Sequence, residues 1–414
     1  MLKLPQPRKV TLDSGVTLLY QGNPYSPTIA FGAWITRGSR DETHAERGLS
    51  HLLEHMVFRG TRKRDALRIA LDLEAIGGQW DAFTSREMTC YNARVLDEHF
   101  ESLADIFADF ILDPTIPEDA FRLERKVVQE EIRGIKDSPE EFTHELFMNT
   151  IFKGHPLGYP VAGTLSGVGR YSREDLLAFH RKVYTASNTV IGFVGNIPLR
   201  RVARIIEREF RFPRRRGRRA GRAPSRGAGR TSMRRRPEWS QTHACIGSKT
   251  VPASHRDRYA LAILSGILGG GVSSRLFQSM RERNGLVYSV YSHASFWRDA
   301  GVLYSFFSVD PNNLRRALDI FHTEIRDLEE GHVRDEELES ARATLKGAVI
   351  FGSESATSRL FSLFQSDYHL GRYVSVEELI AAIDRVDSSD IARITRRYLD
   401  RNGFTYTSCG PANL

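Results

Sequence analysis

The segment His51-Leu52-Leu53-Glu54-His55 constrains the fold most, because a helix there brings two imidazoles four residues apart onto one side, one turn from each other. In that conformation both rings can bind a single zinc ion while Glu54 reaches a water on the metal. Leu49, Leu52, Leu53, Met56 and Val57 follow the i, i+3, i+4, i+7, i+8 spacing of a buried stripe. At about 100° per residue this stripe lies opposite the mean direction of His51, Glu54 and His55. A core must therefore hold the helix by its back and leave the polar side facing a cavity. Gly60 is positioned to end the helix.

Two histidines alone bind a metal weakly, and they also suit an ordinary solvated helix face, so a third ligand decides between the readings. The stretch Pro117 to Lys136 starts with Pro-Glu-Asp and reads as a long helix. In projection Phe121, Val127, Val128, Ile132 and Ile135 define its apolar side, with Glu124 and Glu131 in the middle; Glu130 falls near Lys126 and Arg133. Carboxylates facing a core are costly unless a metal or a partner compensates them. The projection thus assigns Glu131 as third ligand and Glu124 as its supporting carboxylate, with a metal-free buried salt bridge as the alternative.

The order His-x-x-Glu-His inverts the commoner zinc-protease helix motif. With Gly38-Ser39-Arg40-Asp41-Glu42 before it, Phe58-Arg59-Gly60-Thr61 after it, and Thr84-Ser85-Arg86-Glu87-Met88-Thr89-Cys90-Tyr91 downstream, the chain resembles the pitrilysin/insulysin family of inverzincin metallopeptidases. The resemblance is to the subfamily of the mitochondrial processing peptidase and its bacterial relatives, and covers nearly the whole length. The family's third ligand is a Glu 76 residues after the second His, which is Glu131 here, with a further Glu at Glu124. The resemblance implies one zinc ion per chain, Glu54 as general base, and hydrolysis of peptide bonds in unfolded peptides. It also implies that Arg281 and Tyr288, seven residues apart, reach across a chamber to the metal site. Read locally, Tyr288 lies on a buried strand and Arg281 is exposed, and the preceding Gly269-Gly270-Gly271 run lacks the Gly-Lys-Ser/Thr of a phosphate loop. Gly77 to Thr84 resembles the family's substrate-pairing edge strand, making Asp81 and Ala82 substrate-binding residues. The family usually has Asn where Asp81 stands, so one amide donor to the substrate is lost. The resemblance further implies a homodimer, or a heterodimer with a related chain, enclosing a chamber. Because the family includes catalytically idle members, an assembly or processing subunit is the alternative.

A chain of 414 residues exceeds the usual size of one core. The three widely spaced cysteines offer no C-x-x-C pair and no even disulfide framework, which points to a reducing compartment. With no secretory-type apolar run at the N-terminus and no long apolar span, the expectation is a soluble, cytoplasmic protein without a membrane partner. Of the formal charge of +8, twelve arginines between Arg211 and Pro237 carry more than the whole, leaving −4 elsewhere. That segment reads as a flexible linker, 211–237, between a catalytic zinc-binding domain, 1–210, and a non-catalytic one, 238–414. A nucleic-acid-associated protein acting through this segment is a further alternative, disfavoured because a bare Arg run carries no sequence readout. The two domains read as a duplication: Leu103-Ala104-Asp105-Ile106-Phe107 is echoed by Ala317-Leu318-Asp319-Ile320-Phe321. At an offset of 217, Glu124 and Glu131 correspond to Ala341 and Ala348, so the second copy lacks the chemistry. Strands at Val16 to Leu19, Thr28 to Ile35 and Thr89 to Leu96, followed by amphipathic helices, predict an α+β fold. Its two homologous domains each pack helices on one face of an antiparallel-rich sheet, and the resemblance implies a clam-shell arrangement.

Overall fold

A computed structural model describes residues 5–212, 229–400 and 403–411. Their strands are β1 (Arg8–Thr11), β2 (Thr17–Gly22), β3 (Thr28–Ile35), β4 (Gln79–Thr84), β5 (Thr89–Leu96), β6 (Thr189–Gly195), β7 (Thr231–Arg235), β8 (Thr242–Thr250), β9 (Val287–Phe296), β10 (Gly301–Val309) and β11 (Thr405–Gly410). They form a six-stranded sheet, β1-β2-β6-β3-β5-β4, and a five-stranded sheet, β7-β11-β8-β10-β9. Without β1 the two orders are the same. In each, one parallel pair (β2 with β6, β7 with β11) adjoins antiparallel neighbours. The duplication is therefore written in the topology. It recurs in the helices Glu118–Asp137 and Asp335–Glu354, both of 20 residues and starting 217 positions apart.

The compact units are not contiguous halves. One comprises Met1–Gly134, Tyr159–Gly221 and Ser353–Asp367; the other comprises Ile135–Gly158, Arg222–Gly352 and Tyr368–Leu414. Relative to boundaries at 1–210 and 238–414, each unit gains a helical segment from the other half of the sequence. In the first unit most helices pack on one sheet face, burying Phe31, Phe100, Phe107, Phe110 and Phe193 in one core. The opposite face receives the exchanged helix, where Phe364 stacks on Trp34 at 4.4 Å and Phe361 meets it edge-on at 5.6 Å. Gly32 and Gly192 are register partners on β3 and β6. A Cβ at either would come within 2.6 Å of Trp34 or Leu360, so the two glycines make the hollow that seats this helix. In the second unit, Phe147, Met148 and Ile151 of the helix Pro139–Ile151 cover Cys245, Val302 and Phe306 in the same manner. Hydrophobic periodicity shows that these helices have an apolar side. It cannot say which sheet that side will cover.

The Arg-rich segment departs from the expected linker at its C-terminal end. Thr231 to Arg235 form β7, an edge strand paired in parallel with β11 from Tyr406 to Gly410, while residues 213–228 lie outside the described residues. Alternating backbone hydrogen bonds to β11 order these arginines, which suit an edge strand that must not pair further. The strand expected at Val16 to Leu19 is β2, from Thr17 to Gly22, and the unexpected β1 precedes it. Among the described residues no helix is long and apolar enough to cross a membrane.

Candidate metal centre

The helix Leu49–Met56 carries the motif, and its stripe Leu49, Leu52, Leu53 and Met56, continued by Val57, is buried in the first unit's core. Eight residues are too few to hold a helix by propensity, so its mounting matters. At its N-terminus Gly48 has φ of 92°, a conformation that suits glycine, and a Cβ there would meet the Ala162 carbonyl. Buried Glu42 accepts the Gly48 and Ser50 amides at 2.8 and 2.7 Å, satisfying two donors at the helix start. The preceding turn is locked to the loop after β4: Ser39 N–H donates to the Ser85 carbonyl, and Arg40 pairs with Glu87 at 2.7 Å, both side chains buried. The segments that define the family resemblance are thus a brace behind the helix.

On the polar side of this helix, His51, Glu54 and His55 offer ligand atoms all within 4.8 Å of one another, the one such metal-capable group among the described residues. Glu131 closes the arrangement, its carboxylate oxygens 3.6 Å from His51 Nε2 and 3.8 Å from His55 Nε2. Donors bound at 2.0–2.1 Å to a tetrahedral zinc stand about 3.3 Å apart, so these spacings, too long for hydrogen bonds, fit a small ion between them. Burial, helped by the neighbouring His55 ring, pushes His51 down to about 4, which keeps its imidazole neutral and able to ligate at neutral pH. Burial also raises the Glu54 carboxyl, against the lowering effects of His55 and of the Thr84 hydroxyl, which donates to Glu54 at 3.2 Å. Behind His55, Nδ1 lies 3.2 Å from Glu124, whose other oxygen meets Arg59 at 2.5 Å.

The helix Glu118–Asp137 corrects the reason given for Glu131. Phe121, Glu124, Val128 and Ile132 are buried, but Val127 is exposed and the Glu131 side chain retains 44 % exposure. The buried arc is thus narrower than the projection and centres on Glu124, at 1 %, while the edge bearing Val127 and Glu131 is exposed. Glu130 instead pairs with Arg133 at 2.5 Å. Tyr288 also departs from expectation: it lies on β9 but is 78 % exposed, with neighbouring Val287 and Val290 turned inward. Arg281 sits 5.4 Å from its ring, both within the second unit. Asp81 and Ala82 lie on β4, which occupies the sheet's edge and pairs only with β5 among the described residues. Thr84, Glu42 and Arg59 stand in the segments that carry the resemblance, and no spacing rule in the sequence marks them as neighbours of the motif.

Glu42 gives this mounting a pH dependence. Burial pushes its carboxyl up to about 7, with the two amide hydrogen bonds working in the opposite direction. Since 7 exceeds the ordinary unfolded value near 4.5, the contribution to stability is complete below pH 4.5 and is lost as pH rises through 7. Glu42→Gln is expected to cost about 1–3 kcal/mol at low pH through one lost acceptor. It is also expected to flatten the decline of stability between pH 5 and 8; denaturant titrations across that range compare the two slopes.

The insulinase (peptidase family M16) profile matches residues 17–165, and the peptidase M16 inactive domain profile matches residues 170–345. An uncharacterized zinc protease of Bacillus subtilis is 33 % identical over 390 residues, spanning 94 % of this chain and 95 % of its own. Another, from Streptomyces coelicolor, is 34 % identical over 407 residues, spanning 95 % and 87 %. In fold, the chain is similar to a protease from Helicobacter pylori, with a TM-score of 0.91 at 24 % identity over 98 % of this chain and 100 % of that one. It is also similar in fold to a chain of complex III2 from Candida albicans, with a TM-score of 0.84 at 17 % identity over 98 % and 96 %. Matched by both profiles and by relatives of 33 and 34 % identity over nearly its full length, the chain belongs to the insulinase, or M16, family of peptidases.

Proposed function

We propose that this chain is a zinc-dependent endopeptidase that hydrolyses peptide bonds in unfolded peptides or extended segments. The observation that carries the proposal is the convergence of His51, His55 and Glu131 at zinc-like spacing, with the Glu54 carboxylate beside them. His51, His55 and Glu131 would hold the ion, leaving its fourth position open. When bound, zinc polarises the scissile carbonyl and brings the pKa of water toward ~7. Glu54, its carboxyl raised by burial, takes a proton from the attacking water and returns it to the leaving amine. The Thr84 hydroxyl aims one Glu54 oxygen at 3.2 Å and leaves the other to accept that proton. The free edge of β4 pairs with the backbone of an extended substrate, with Asp81 and Ala82 beside it and Asn92 fixing the strand through the Asp81 carbonyl at 3.2 Å. Arg281 and Tyr288 supply a cation and a phenol to the substrate backbone or the developing oxyanion. A second copy or a related chain completes the assembly.

The test is cleavage of an unstructured fluorogenic peptide by the zinc-loaded protein. Turnover that disappears with a chelator and returns with zinc supports the proposal. A protein that binds one zinc per chain yet cuts no unstructured peptide, alone or mixed with a related chain, would instead favour the idle-subunit reading.

A further inference from the structure

Glu124 is a carboxylate with 1 % side-chain exposure, held between His55 Nδ1 at 3.2 Å and Arg59 Nη2 at 2.5 Å. A carboxylate so enclosed is costly unless a cation and hydrogen-bond donors compensate it. Arg59 stands four residues after His55, at the end of the short 3-10 turn Val57–Arg59 that prolongs the motif helix. That spacing returns its guanidinium to the side of the helix where His55 lies. We propose that Arg59 is a positioning residue for the metal ligand His55, acting through Glu124.

The physical sequence is short. Arg59 occupies one Glu124 oxygen, so the carboxylate is anchored with its other oxygen toward His55. That oxygen accepts the Nδ1 proton of His55, which fixes the ring's tautomer and leaves Nε2 as the lone-pair nitrogen facing Glu131. His51 has no counterpart to this: its Nδ1 is buried without a hydrogen-bond partner. The polar restraint on the donor set is therefore concentrated at His55, and Arg59 is its outer end. A guanidinium suits the position because its planar array of donors holds a carboxylate in one orientation, which a flexible ammonium does less well.

The inference rests on the reading of His55 as a zinc ligand, and the experiment separates the two. Zinc affinity of the full-length protein is measured by competition with a chromophoric chelator, alongside thermal unfolding of the metal-free form. Arg59→Met is expected to weaken zinc binding about 10–100-fold. Arg59→Lys is expected to recover most of that loss by restoring the charge. In a Glu124→Gln background, Arg59→Met is expected to change the affinity by less than about threefold, since its path to His55 is already broken. A merely structural role would lower the unfolding temperature without this dependence on Glu124. Should Arg59→Met fail to fold, Arg59→Gln removes the charge in its place. Affinity within about twofold of wild type, or losses that add fully to those of Glu124→Gln, would overturn the inference while leaving the metal site standing. A wild-type protein that binds no zinc at one per chain would remove the site reading itself.

Discussion

Glu54→Gln is expected to bind zinc as the wild type does and to cut an unstructured peptide about 10²–10⁴-fold more slowly, the usual contribution of a positioned general base. That range corresponds to about 3–5 kcal/mol of transition-state stabilisation. Gln keeps the volume of Glu and can still accept the Thr84 hydroxyl, so the loss belongs to proton transfer and not to packing. Stability is expected to move in the opposite direction. Burial raises the Glu54 carboxyl in the folded protein, so its contribution to stability is complete below the unfolded value and is lost as pH rises through the folded one. A neutral amide removes that loss, and at pH 8 the metal-free variant is expected to unfold at the same temperature as wild type or higher. Turnover, chelator competition and thermal unfolding on the same preparations check all three. Equal peptide cleavage by both proteins would exclude Glu54 as the base.

The second large effect separates two adjacent carboxylates. Structural zinc sites bind with about 10–16 kcal/mol across four ligands, or roughly 2.5–4 kcal/mol for each. Glu131→Gln is thus expected to weaken zinc binding by about 10²–10³-fold and to remove activity at limiting zinc. Glu130→Gln deletes only a surface pair with Arg133, worth about 0–1 kcal/mol, and is expected to leave zinc affinity unchanged. Neither change touches the core, since both side chains are substantially exposed, so folding should be unaffected. Zinc titration of the two variants side by side decides the matter. A loss in Glu130→Gln with none in Glu131→Gln would mean that the helix presents a different face to the metal.

The two carboxylates also show how far periodicity reaches. The burial of Leu49, Leu52, Leu53, Met56 and Val57 follows directly from their spacing, and so does the exposure of Glu130 beside Arg133. The projection places both Glu124 and Glu131 within the apolar arc, yet the core encloses only Glu124. A projection assigns a direction to each side chain. It does not know whether the neighbouring space holds a sheet or a cavity. Tyr288 departs for a different reason: a register shift between β9 and β10 turns both Val287 and Val290 inward and leaves Tyr288, between them, exposed.

By itself the sequence determined the motif helix, the strands β3 and β5 to the residue, a long helix near Pro117 to Lys136, a matching helix start 217 positions later, and the replacement of Glu124 and Glu131 by Ala341 and Ala348 in the second copy. All of these rest on local period or on comparison of one half with the other. Tertiary structure decided what depends on contacts between distant segments. It seats the helix holding Leu360 in the hollow over Gly32 and Gly192, and turns Thr231–Arg235 from linker into an edge strand. It brings Glu42 to the start of the motif helix, Thr84 to Glu54, and Arg59 through Glu124 to His55. Each of these is a hydrogen bond, an ion pair or a packing contact a few ångströms long, and such short-range interactions leave no period in the chain that makes them.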